Sequence, residues 1–314
     1  MNRRQRVEAV LEGRKPDRTP VCFWHHFGAL PPEQTVRAHL RWLEDSGEDL
    51  LKMMSDEFFI YPLSGAKQPE DFLKLRPLGR DSAYVRGQIE RAGQIMEALH
   101  GGVFSLYNAF SPYANLKHAM GQDAAIALMK ASPEAFGHIL RVIEEDTLLV
   151  IEGLLTVSGV DGIMLCLQGA EEGLFSDEDY LRFLRPGEQA IVEQANRFSK
   201  RNLLHLCGWD GTPDLLERWK HYESAIVNWD VDVEHVSLSE GRAFFGDRVL
   251  LGGFNNRPEA ILNRGDREAV MAETRRILSQ AGGARFVLGA DCSLPQDVDP
   301  IRVRWVIEAI ENWG

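Results

Sequence analysis

The chain lacks any apolar run approaching the ~20 residues a helix needs to cross a bilayer, so no membrane span is expected. No GxGxxG or GxxxxGKS/T segment occurs, which removes the usual sequence support for nucleotide binding. Cysteine is scarce: the 314 residues hold 4, none in a CxxC pair. That excludes a closed four-cysteine structural metal site and a disulfide-dense secreted scaffold. Positive charge is also in deficit, 35 Lys and Arg against 47 Asp and Glu, for a net charge of -12. A nucleic-acid backbone and an anionic membrane surface are therefore poor partners. A small anion is not excluded, because the field inside a site is local. Repeats, low-complexity tracts and linker-like stretches are missing, so a single domain over 1–314 is expected. The opening MNRRQRVEAVLEGRKPDR is basic without the apolar stretch of a secretory signal, and the expected location is cytoplasmic.

What is present is a recurring unit: a short β-prone apolar run, a polar turn, then a helical stretch. The apolar runs fall at 19–24, 49–54, 103–108, 161–167, 202–206, 224–229, 248–253 and 285–290. Helical patterns are read at 3–12, 33–45, 133–158, 177–199, 212–220, 257–262, 266–281 and 298–312. The stretch 60–100 reads as an irregular insertion. Strands alternating with helices imply parallel βα units. Eight of them favour closure into a (β/α)8 TIM barrel, here with an N-terminal helical extension.

In such barrels the chemistry lies at the C-terminal strand ends, and these ends are rich in His, Cys, Asp and Glu. His205 and Cys207 are two apart on one expected strand, so both side chains face the same way. With Cys292, after the last strand, they form an imidazole–thiolate set suited to Zn2+ with one position open. Asp230 is a fourth candidate, as an oxygen ligand or as a partner of a ligand. The competing reading keeps His205 and Cys207 as core residues and Cys292 as an incidental loop cysteine. At the other strand ends, His25, His26 and Asp56 are candidates for proton transfer or substrate positioning. Of the adjacent histidines only one is expected to face inward. Trp24, Asn108, Gln168, Glu172 and Asn255 are candidate substrate contacts, with Tyr107, Phe110 and Trp209 as further aromatic wall.

The segments RQRVEAVLEGRKPDRTPV, MMSDEFF and VLLGGFNNRPEAI resemble the uroporphyrinogen decarboxylase superfamily over nearly the whole chain. HLCGW and GADCSLP are similar to the zinc-binding segments of its methyltransferases and of cobalamin-independent methionine synthase. The resemblance implies a (β/α)8 barrel, with His205, Cys207 and Cys292 as zinc ligands. It implies a zinc-dependent methyltransferase or demethylase working with a corrinoid or similar methyl carrier. The partners it suggests are a small-molecule substrate, a corrinoid carrier protein and a second copy in a homodimer. The alternative is a metal-free decarboxylase using Asp56, which falls where that enzyme's essential aspartate sits. The decarboxylase's arginine-rich segment is missing, however: the first strand ends in Trp24-His25-His26-Phe27-Gly28. A polycarboxylate tetrapyrrole needs guanidinium partners, because unpaired buried carboxylates are very costly.

Overall fold

The computed structural model of the chain describes residues 1–208, 211–283 and 285–313. Eight parallel strands build one sheet: β1 (Val21–Cys22), β2 (Leu50–Met53), β3 (Phe104–Phe110), β4 (Gly162–Leu167), β5 (Leu203–Leu206), β6 (Ile226–Trp229), β7 (Val249–Phe254) and β8 (Phe286–Ala290). Each overlaps the apolar run that predicted it. Hydrogen bonds run in the order β1-β8-β7-β6-β5-β4-β3-β2, which wraps the sheet into a (β/α)8 TIM barrel. Between β1 and β2 the seam is made by side chains. Val21 N–H donates to Asp49 Oδ2 (3.0 Å), and Phe23 N–H to Glu48 Oε2 (2.8 Å). The Asp49 N–H returns a bond to the Val21 carbonyl (3.0 Å). Two buried carboxylates thus replace a ladder where the strands are too short to form one.

Alternation along each strand sorts the core into two layers. Leu204, Leu206, Val227 and Trp229 pack outward under the helices. Leu50, Phe104, Leu203, Ile226 and Val249 turn inward and fill the barrel floor. The N-terminal helix Arg3–Leu11 plugs that floor with Val7 and Val10. Its Arg6 is buried against Asp49 (2.6 Å), so helix and seam share one carboxylate.

The helical layer departs from expectation in several places. The 60–100 insertion contains a long helix, Ala83–Leu99, capped by Ser82 and buried along Val85, Gln88, Ala92, Ile95 and Leu99. Leu238–Phe245 is a further helix not read from the sequence, opened by a Ser237–Glu240 capping box. In 212–220 the structure has only a short 3-10 turn, Leu216–Arg218, and in 257–262 the helix starts at Ile261. Pro112–Met120 and Gln122–Ala131 are two more helices outside the predicted stretches, and the remaining long helices follow those stretches. No helix among the described residues is long and apolar enough to cross a membrane.

Two positions test this packing. A Cβ at Gly289 of β8 would lie 2.4 Å from the Cys22 carbonyl oxygen. Backbone cannot yield there, so Gly289→Ala is expected to destabilise by about 1–3 kcal/mol, read as a lower urea midpoint. Glu188, on helix Arg185–Phe198, is fully buried and accepts from the Tyr180 hydroxyl (2.8 Å), the Tyr222 hydroxyl (2.9 Å) and Trp219 Nε1 (3.2 Å). Burial outweighs these bonds and pushes its carboxyl up to about 7. The folded chain then holds this proton more tightly than the unfolded chain does, so the contribution is fully present below the ordinary glutamate range and declines as pH rises toward 7. Glu188→Gln should flatten that decline, checked by urea unfolding at pH 5 and pH 8.

Candidate metal centre

β5 carries His205 inward, and the next inward position after the strand is Cys207. Cys292 follows β8 by two residues. The three ligand atoms lie within 4.8 Å of one another, and all three residues are buried. Cys292 Sγ is 3.5 Å from His205 Nε2. Tetrahedral zinc with bonds of about 2.0–2.3 Å wants its ligands about 3.3–3.8 Å apart, so the set is within a small contraction of that geometry.

The proton on His205 is placed by its neighbour. Asn228 Nδ2 donates to the carbonyls of Leu251 (2.9 Å) and Ala290 (3.2 Å). That leaves Asn228 Oδ1 as the acceptor facing His205 Nδ1, with which it is hydrogen bonded. Nδ1 therefore carries the hydrogen and Nε2 presents its lone pair to the sulfurs, the arrangement a metal-binding imidazole needs. Gln168 Nε2 donates to Cys207 Sγ (3.5 Å). A hydrogen bond from the Cys207 thiol holds Cys292 below the usual thiol range despite burial. The same bond, together with burial, pushes Cys207 up. Metal-free, the pair releases one proton readily and resists releasing the second next to a buried anion. A cation between them removes that resistance, and the donor set fits zinc.

The centre forms one wall of a cavity of about 610 Å3 at the barrel mouth. Phe59 stacks on His118 (4.2 Å) and meets Phe110 edge-on (5.4 Å), giving the opposite wall. Burial and Lys117 push His118 down to about 4, so this imidazole is neutral. Cys166 donates to Asn108 Oδ1 (3.1 Å), and burial pushes its thiol up to about 12. Gln168 Oε1 and Asn256 Oδ1 are buried at the wall with no hydrogen-bond partner among the described residues.

Of the expected contacts, His26, Asn108 and Gln168 line the cavity. His25 turns away, packed on Phe27 and Trp42. Trp24 lies beneath the site, edge-on to the His205 ring at 6.0 Å, its Nε1 donating to Ser293 Oγ (3.1 Å). Asp56 does not line the cavity. Its carboxylate accepts from His26 Nδ1 (2.6 Å) and from the Phe27 and Gly28 amides (2.6 and 3.0 Å). Burial would raise it, but these bonds prevail and hold it below the ordinary range. It positions His26.

Four expectations need correction. Asp230 is not with the metal set: Oδ1 accepts from Val233 N–H (3.0 Å), and Oδ2 faces Arg257 (3.4 Å). Glu172 is exposed on the outside. Its neighbour Glu171 is buried, but paired with Lys117 (3.0 Å). Asn255 points away toward Asp232, and Asn256 takes the cavity position instead. Tyr107 faces the helical layer, where it donates to Gln88 (3.2 Å). Trp209 lies outside the described residues. Sequence reading missed Lys52, Cys166 and Asn256 as lining residues, and Asn228 as the partner of His205. Lys52 and Cys166 were legible from the inward alternation of their strands; the Asn256 register was not.

A family model described as uroporphyrinogen decarboxylase (URO-D) matches residues 61–313. The chain belongs to the uroporphyrinogen decarboxylase family. No curated protein matches it. Among solved structures, a methyltransferase from Methanosarcina mazei is similar at 17% identity and TM-score 0.74, covering 100% of this chain and 99% of that one. A B12-independent methionine synthase from Shewanella sp. W3-18-1, in complex with selenomethionine, is similar at 13% identity and TM-score 0.59, covering 94% and 95%. A putative vitamin-B12 independent methionine synthase from Listeria monocytogenes follows at 12% identity and TM-score 0.53, covering 90% and 87%. At such identities the likeness concerns the barrel fold that this member of the uroporphyrinogen decarboxylase family shares with them.

If Asn228 sets the His205 tautomer, Asn228→Ala should weaken zinc binding about 10–100-fold. Competition with a fluorescent chelator measures this, and unchanged affinity would remove Asn228 from the centre.

Proposed function

We propose that this chain is a zinc-dependent methyltransferase or demethylase that works with a methyl carrier, a corrinoid on a partner protein. The observation that carries the reading is the convergence of His205 Nε2 with the sulfurs of Cys207 and Cys292, at the wall of a cavity, with the His205 proton held on the far nitrogen. These three residues would hold the ion, which when bound supplies a Lewis-acid position that keeps an acceptor thiol deprotonated or polarises a methylated substrate.

The chain's own groups do the rest. Asn228 keeps Nε2 unprotonated, and Gln168 hydrogen bonds to the Cys207 sulfur. Phe59, Phe110 and His118 form an apolar wall that limits water around the reacting sulfur. In methyl transfer the sulfur lone pair forms the new C–S bond, while the methyl–carrier bond breaks and leaves its electron pair on the carrier. His26, with Nδ1 held by Asp56, offers its other ring nitrogen at the cavity for the proton the acceptor gives up. The M. mazei methyltransferase and the methionine synthases share the barrel, which agrees with this chemistry. The decarboxylase alternative loses support because both Asp56 oxygens are engaged outside the cavity.

The reading predicts about one zinc per purified chain, and methyl transfer from methylcobalamin to a thiol, followed by the loss of the methyl–cobalt absorbance. His205→Ala and Cys207→Ala should lose both metal and turnover, and chelation should be reversed by zinc. Turnover that survives metal removal would sink it.

A further inference from the structure

The inward alternation of β2 that fills the floor with Leu50 sends the next inward residue, Lys52, into the cavity. Lys52 is 4% exposed. Among the described residues it has neither a hydrogen bond nor an ion pair; its Nζ rests 4.5 Å over the Trp24 ring. The His205 ring meets that same indole edge-on, so Lys52 stands beside the metal set. The other Lys or Arg at the wall among the described residues, Arg257, is engaged by the Gly208 carbonyl (3.2 Å) and by Asp230.

The lining has a second property. In a chain with 47 acidic residues and a net charge of -12, no Asp or Glu lines the cavity among its described residues. A centre of two thiolates, a neutral imidazole and a divalent cation is electrically neutral, so the sign of the pocket is set by Lys52. The Lys52 charge also favours the nearby Cys292 thiolate, but once a cation takes that thiolate the buried ammonium keeps only the Trp24 ring and lacks most of the compensation such a charge needs. A ligand oxyanion supplies it.

We propose that Lys52 is a substrate-specificity residue that binds the oxyanion of a small organic acid, a carboxylate class of substrate whose reacting group lies at the metal centre. The inference rests on the methyl-transfer reading for the choice of thiol probe and on the cavity alone for the anion. A group kept for ligand binding is a liability to the free fold, so Lys52→Met should be at least as stable as the parent in urea, whereas loss of a structural cation–π contact would lower stability.

The test is calorimetric titration of zinc-loaded protein with 3-mercaptopropionate and with its neutral amide. The carboxylate should bind about tenfold tighter or better, the scale of a hydrogen bond to a charged group. In Lys52→Met that preference should vanish while affinity for the amide changes less than about twofold, and Lys52→Arg should restore part of it. Zinc content of each variant is measured alongside. Equal binding of the two probes by the parent protein overturns the proposal, as does a preference that survives in Lys52→Met or a loss of stability on that substitution. Propionate titrated into metal-free protein separates the two readings: Lys52-dependent binding there upholds the anion site even where zinc-dependent methyl transfer has failed.

Discussion

A closed eight-stranded barrel has an interior only wide enough for side chains, and every second residue of every strand must enter it. That constraint organises the whole molecule. It brings His205 and Cys207 from the fifth strand to Cys292 after the eighth, although β6 and β7 lie between them in the sheet. Strand adjacency is not required, because convergence happens across the lumen. One amide then fixes the result: Asn228, on β6, reaches His205 on β5, the Leu251 carbonyl on β7 and the Ala290 carbonyl on β8. With both its donors committed to backbone, its oxygen cannot rotate away, and the imidazole is held by four strands at once.

The same constraint explains what could be read from the sequence. Within strands the period of two is strict, which made His205 legible, and it carries one residue further to Cys207 and Gln168. Cys292 was legible as a thiol just past β8, and the opposite facing of adjacent residues announced that one of His25 and His26 turns away. Beyond the strand ends the period lapses. Asp230 follows β6 directly, and continued alternation would send it inward, but the chain turns there and its carboxylate caps the Val233 amide. Asn255 and Asn256 exchange roles for the same reason, one residue past β7. Glu172 lies in a turn whose register nothing in the sequence sets. The helix Ala83–Leu99 was hidden by glycines at 87 and 93 inside an otherwise helical pattern, and its stability comes from packing rather than propensity.

Buried carboxylates elsewhere in the fold show why none of the described residues lining the cavity is an Asp or Glu. Asp49 and Glu48 accept backbone amides across the β1–β2 seam. Asp56 gathers the Phe27 and Gly28 amides, Asp291 those of Gly253 and Val231, and Glu171 that of Gly169. Each is an acceptor for N–H groups left without a ladder, at the β1–β2 seam for Asp49 and Glu48 and around the mouth for Asp56, Asp291 and Glu171, and an orphaned buried amide would cost about 1–3 kcal/mol. Acidic residues near the mouth are thus consumed in shaping it. Burial raises Asp291 well above the ordinary carboxyl range, so its bonds to backbone serve structure at some electrostatic cost.

This division of labour separates shape from charge. Loop geometry is held by carboxylates that point into backbone, and among the described residues the lumen is left with neutral amides, aromatic and imidazole rings, sulfur, the Lys52 ammonium and an Arg257 paired with Asp230. A polar group in that space has few neighbours with which to trade partners, so the orphaned oxygens of Gln168 and Asn256 and the unpaired Lys52 all lack the same thing, a ligand with both an anion and hydrogen-bond donors. An interior built only for stability would fill those positions with apolar side chains, as the floor of this barrel does with Leu50, Phe104 and Leu203. The change from apolar floor to polar mouth takes place within a single strand, between Leu50 and Lys52, and it marks where packing gives way to recognition.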